Sequence, residues 1–62
     1  MLEDPRRMVR YLEANGFYKD GGKGGHQKMY NPVTKRRTVV PMHKELTKEM
    51  QRTILKQAGL WK

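Results

Sequence analysis

Along the first quarter of the chain the apolar residues fall at a helical spacing. Pro5, Met8, Val9 and Leu12 occupy i, i+3, i+4 and i+7, while Arg6, Arg7 and Arg10 lie off that face. Asp4 ahead of Pro5 supplies a cap and a favourable first helical residue, Asn15-Gly16 supplies a stop, and Met1 to Glu3 is expected as a loose end. The period then changes. Phe17 to Lys19 reads as a short strand, and Asp20 to Gly25 as a flexible connection dominated by glycine. His26 to Tyr30 alternates, with His26, Lys28 and Tyr30 on one face and Gln27 and Met29 on the other. Asn31-Pro32 opens a turn, and Arg37 to Val40 forms a further strand that Pro41 closes. A second helix begins near Thr47, with Glu49 in its first turn. It buries Met50, Ile54, Leu55 and Ala58, carries Lys48, Arg52 and Lys56 on another side, and stops at Gly59.

The order helix, three strands, helix predicts an α+β fold, a three-stranded antiparallel sheet with both helices packed on one face. The opposite sheet face is left to solvent or a partner. With no internal repeat and no separating linker, residues 1–62 are expected to form a single domain. A domain of this size buries only ~60% of the surface its unfolded chain exposes, so Trp61 is expected to serve as a lid on the core.

Composition narrows the function classes. No cysteine is present, which removes disulfides and thiolate metal sites and favours a reducing, cytoplasmic setting. Hydrophobic residues make up 35% of the chain, and no apolar run approaches the ~18 residues of a membrane span or the shorter core of a secretory signal. The mature chain is therefore expected to start at Met1. Fourteen Lys and Arg against six Asp and Glu give a formal charge of +8, which predicts attraction to nucleic acid, to an acidic protein, or to both. Two histidines with scattered carboxylates do not make a metal site, and no cofactor is expected.

Gly24-Gly25-His26 carries the candidate chemistry. An imidazole takes or gives a proton near neutral pH, and flanking glycines leave backbone open to a bulky polyanion. The spacing of a nucleotide-binding P-loop is absent. RNA brings its own nucleophile in the 2′-hydroxyl, so a basic surface with one placed proton-transfer group suffices for a ribonuclease.

Asn15-Gly16-Phe17, Gly22-Lys23-Gly24-Gly25-His26, Tyr30-Asn31-Pro32, Arg37 with Val40-Pro41-Met42-His43, and Ile54 to Leu60 together resemble the HicA toxin family over nearly the whole chain. The resemblance implies a fold like the double-stranded-RNA-binding domain, metal-independent cleavage of mRNA, and inhibition by a HicB-like antitoxin in a hetero-oligomer. It places the catalytic histidine on His26. Gly25 departs from the family, which usually has serine there, so a hydroxyl contact to phosphate is lost. The second member of the acid-base pair is left open among Tyr30, Lys23, Lys28 and substrate-bound water. RNA contacts are expected from Lys23, Gly24, Gly25, Lys28, Arg36, Arg37 and the Lys48, Arg52, Lys56 face. His43 is read as structural or as an antitoxin contact, and Met29, Leu60 or Trp61 as apolar partner contacts. The rival reading is a non-catalytic RNA-binding module of the same fold; a DNA-binding module lacks a helix-turn-helix pairing.

Overall fold

The computed structural model describes residues 2–61. Its elements are α1 (Pro5–Ala14), β1 (Tyr18–Lys23), β2 (His26–Asn31), β3 (Arg36–Pro41) and α2 (Lys48–Gln57). The strands form one antiparallel sheet in the order β1-β2-β3. Both helices start as their sequences dictate. The Asp4 carboxylate accepts the Arg6 backbone N–H at 2.9 Å, and the Thr47 hydroxyl accepts that of Met50 at 3.1 Å, satisfying amides that the first helical turn leaves free.

One core joins the helices to the sheet. Met8, Val9 and Leu12 of α1, Phe17, Met29 of β2, Val40 of β3, Leu46, and Ile54 and Ala58 of α2 form a single buried cluster. Met50 and Leu55 are only partly buried, and the remaining inner position of α2 is taken by Gln51, whose side-chain amide donates to the Leu46 carbonyl at 3.0 Å. That bond fixes the connection from β3 to α2 under the helix start. The expected loose end is tied down: Leu46 N donates to the Glu3 carbonyl at 2.8 Å and Leu2 packs on the core, while Met1 lies outside the described residues.

The first strand differs most from its sequence reading. It begins one residue after Phe17 and runs through Asp20-Gly21-Gly22 to Lys23, so the glycine run is strand and not a flexible connection. The register explains how. Lys19 pairs with Met29 and Gly22 with Gln27, leaving Asp20 and Gly21 opposite Lys28 alone. This is a β-bulge, two residues against one, with Gly21 at φ +86°, a conformation that favours glycine. Without it the pairing of Gly22 with Gln27 would run on to set Tyr18 against Asn31. With it Tyr18 meets Tyr30, Phe17 turns into the core and Tyr18 turns out.

Asn31 closes the other hairpin from a buried position. Its side-chain oxygen accepts from Val33 N (2.9 Å) and Thr34 N (3.2 Å), and its amide donates to the Asn15 carbonyl at 3.2 Å. The expected core lid is not one: Trp61 is 46% exposed and lies under the Arg52 guanidinium at 5.5 Å. Met29 is 1% exposed, so it belongs to the core and not to a partner-facing surface.

Asn31→Ala removes the oxygen that accepts two hydrogen bonds and the amide that donates a third from a buried site, at a cost of roughly 2 kcal/mol. For a domain of this size the Tm should fall by roughly 10 °C in a thermal melt. Asn31→Asp keeps the acceptors and should lose less.

Candidate nucleic-acid interface and proton-transfer site

His26 is the first residue of β2 and follows a turn of only two residues. Gly24 and Gly25 sit at φ +59° and +82°, the signs that a two-residue hairpin needs if its twist is to match the strands. Gln27, next along, donates its side-chain amide to the Gly21 carbonyl at 2.6 Å and so braces the bulged strand against β2. The glycine run is thereby a rigid hairpin end. His26 is exposed there, paired with Lys23 across β1 and with Pro41 across β3.

The side chains that share the outer face with His26 follow from the register. Tyr18, Tyr30 and Arg37 form one cross-strand row, Lys28 and Val39 a second, and Lys23, His26 and Pro41 a third. The first row is stacked. The Tyr18 and Tyr30 rings meet edge to face at 5.8 Å and 85°, and the Arg37 guanidinium lies 5.1 Å from the centre of the Tyr30 ring. Tyr18 is 47% exposed, an aromatic surface of the kind that nucleobases stack on. Sequence reasoning did not single out Tyr18. The signal was the pairing with Tyr30, and the bulge that creates that pairing cannot be counted from loop length.

The other expected RNA contacts lie elsewhere. Arg36 pairs with buried Asn31, so it points to the helix side of the sheet, where its Nε and Cδ occupy the space beside Gly59. On α2 the stripe that shares a shallow groove with His26 and Val39 is Glu49, Met50, Thr53 and Gln57. Lys48, Arg52 and Lys56 are each one residue removed from that stripe, roughly 100° around the helix. The structure therefore brings Lys23, Gly24, Gly25, Lys28 and Arg37 together with His26 on or beside one face, and sets Arg36, Lys48, Arg52 and Lys56 apart.

His43 is the neighbour that the sequence did not connect to this turn. Met42 N donates to the Gly25 carbonyl at 2.7 Å, extending the β2–β3 pairing one step beyond Pro41. The next residue then lays its imidazole against Gly25, in the space that a β-carbon there would occupy.

Among the described residues no three His, Cys, Asp or Glu side chains are grouped to hold a metal ion, and no helix is long and apolar enough to cross a membrane.

Comparison with known families matches residues 5–60 of the 62 to the profile of the HicA toxin of bacterial toxin–antitoxin systems. The chain belongs to the HicA toxin family. Membership makes it the toxin of such a pair, with an antitoxin as its partner in general terms. A search among curated proteins gave no match. The match to the HicA family spans every element from α1 to the end of α2, so the hairpin turn, His26 and the Pro41-Met42-His43 segment all lie within it.

The two turn glycines should respond differently to a methyl group. Gly24 has open space around its β-position, so Gly24→Ala meets only the left-handed backbone penalty of ~1–2 kcal/mol, a Tm loss of roughly 5–10 °C. Gly25→Ala adds a collision with the His43 ring and should melt lower still. Equal melting of the two variants would contradict the packing of His43 on the turn.

Proposed function

We propose that this HicA-family toxin is a metal-independent endoribonuclease that cleaves mRNA, with His26 as a proton-transfer group. The observation that carries the reading is the position of His26, exposed at the mouth of a two-glycine turn and sharing an open sheet face with Lys23, Lys28 and Arg37. Three cations on one face attract the phosphate backbone, and the Tyr18–Tyr30–Arg37 row offers stacking to bases that pass over it. Along β2 the four residue steps from His26 to Tyr30 span ~13 Å, about the length of two nucleotide steps. A strand stacked at Tyr30 can thus present a backbone linkage to His26.

The chemistry asks little of the protein. The 2′-hydroxyl of RNA attacks its own phosphorus, and the enzyme moves one proton from that hydroxyl and one to the departing 5′-oxygen. Lys23 and Lys28 flank His26 and stabilise charge that grows on the phosphate oxygens. His26 serves one of the two transfers.

A toxin of this kind needs an external control, and the HicB-like antitoxin supplies it in this reading by covering the His26 face. The charge of +8 that draws RNA also draws an acidic partner and speeds their association. Met29 is buried and takes no part in that contact; Trp61, half exposed four residues beyond α2, is available.

A non-catalytic RNA-binding module would use the same face without His26. The two readings part on one substitution. His26→Ala, at an exposed turn position, should change stability by no more than ~0.5 kcal/mol yet lower RNA cleavage by ~10²- to 10⁴-fold and abolish toxicity. Cleavage and thermal melting of both proteins check this, and unchanged cleavage by a folded variant would remove the enzyme reading. In RNA binding, replacing Lys23, Lys28 or Arg37 should each reduce the magnitude of the log–log salt slope by roughly 0.7, while Arg36→Ala should leave it unchanged.

A further inference from the structure

Three observations concern a group that the reading above leaves without a task. First, the His43 imidazole occupies the space beside Gly25 where any larger residue would place its β-carbon, with its Nε2 and Cδ2 the nearest atoms. Second, the Met42 N–H to Gly25 carbonyl bond ties the backbone just before His43 to the turn, so the ring departs from a point held against Gly25. Third, His43 is exposed, and it opens onto a depression of about 770 Å³ beyond the turn, while His26 borders one of about 460 Å³ on the near side. Met42 lines both, and Gly25, a bare ridge that lines the second, is the residue against which the His43 ring lies. The His43 ring therefore touches the residue next to His26 in the chain, whose Cα lies ~3.8 Å from that of His26.

We propose that His43 is the second proton-transfer group of the site, and that RNA crosses the Gly25 ridge with the cleaved phosphate between the two imidazoles. This rests on the ribonuclease reading and completes it. In-line displacement at phosphorus puts the attacking and departing oxygens on opposite sides, so the proton acceptor and donor must also stand on opposite sides, each ~3 Å from its oxygen. A ridge bare of side chain lets the phosphate settle between them. Gly25 is the residue that leaves the His43 ring room, since a β-carbon there would meet its Nε2 and Cδ2.

The competing candidates are less well placed. Tyr30 is four residues along β2 and its ring is held by Tyr18 and Arg37. Lys23 and Lys28 are cations on the His26 side, suited to the phosphate charge. The charged groups that face His43 from the chain around it are Glu3, Asp4, Arg6 and Arg7 at the start of α1 and Lys44 and Glu45 beside it. The three cations there are matched by three carboxylates, and Arg6 lies 3.8 Å from the Asp4 carboxylate, so this side is mixed in charge where the His26 side is basic.

The proton count closes. One neutral imidazole takes the 2′-hydroxyl proton as the O2′–P bond forms, and the other, as imidazolium, gives its proton to O5′ as the P–O5′ bond breaks. The products are a 2′,3′-cyclic phosphate and a free 5′-hydroxyl. The two rings finish with their protonation states exchanged, and water resets them.

The test uses the full-length protein, a ribo-oligonucleotide containing a mapped cleavage site, and the same oligonucleotide with sulfur replacing O5′ at that linkage. Thiolate departs without protonation, so this substrate does not need the acid. On the all-oxygen substrate His43→Ala should lose ~10²- to 10⁴-fold in kcat with KM changed little, as His26→Ala does. On the sulfur substrate one of the two variants, the one that lacks the acid, should recover to near the wild-type rate while the other remains slow. His43→Gln, which keeps the shape and packs on Gly25, should behave as His43→Ala does, so loss of fold is not the cause. Wild-type rates for folded His43→Ala or His43→Gln on the all-oxygen substrate, or failure of both His variants to recover on the sulfur substrate, would overturn the assignment while leaving His26 in place. Absence of cleavage by the wild-type protein would instead overturn the ribonuclease reading and this assignment with it.

Discussion

Two residues of β1, Asp20 and Gly21, stand against one residue of β2, Lys28, and the rest of the molecule is arranged around that mismatch. A small domain must place every large apolar side chain well, and a one-residue slip of register exchanges inside for outside. The bulge performs that exchange within β1. Upstream of it Phe17 enters the core and Tyr18 reaches the open face beside Tyr30; downstream of it Lys23 pairs with His26 and the hairpin closes in two glycines. One irregularity therefore serves packing at one end of the strand and the proposed chemistry at the other.

Rigidity at the turn follows from the same pairing. A glycine-rich segment left as a loop would hold an imidazole in many positions, and proton transfer over hydrogen-bond distances demands few. Here the Gln27 amide on the Gly21 carbonyl, the left-handed pair Gly24–Gly25, and the Met42 N–H on the Gly25 carbonyl fix the turn from three directions. The cost of those glycines in chain entropy is offset by a core that draws on all the elements except β1, with Phe17 just ahead of it. The result is an exposed histidine on a stiff support, with cations in the neighbouring rows of the sheet.

Much of the fold is legible in the sequence because it rests on local chemistry. Asp4-Pro5 and Thr47 state where helices begin, Asn15-Gly16 and Gly59 where they end, and the apolar spacing of Met8, Val9 and Leu12 which face is buried. What escapes is whatever depends on register. Glycines in a strand and glycines in a loop look alike until the partner strand is laid beside them, and so the bulge, the outward Tyr18 and the length of β1 were hidden. Of the residues expected to meet RNA, those near His26 in the hairpin are together on one side. Arg36 was separated from Arg37 by the alternation of β3, and the α2 cations by one residue of helical phase. His43 was read as a structural residue or an antitoxin contact because its contact with Gly25 links positions eighteen residues apart, a relation that no local pattern encodes.

The account turns on the substrate's own 2′-hydroxyl as the nucleophile at a site built from side chains alone. Its most direct test is the product of cleavage, analysed by mass spectrometry after incubation of the purified protein with an oligoribonucleotide in excess chelator, beside the same strand carrying a single 2′-deoxy substitution at the cleaved position. The account predicts fragments ending in 2′,3′-cyclic phosphate with 5′-hydroxyl partners, undiminished by chelator, and no cut at the deoxy position. Cleavage that persists at the deoxy position, or that disappears in chelator, would contradict it.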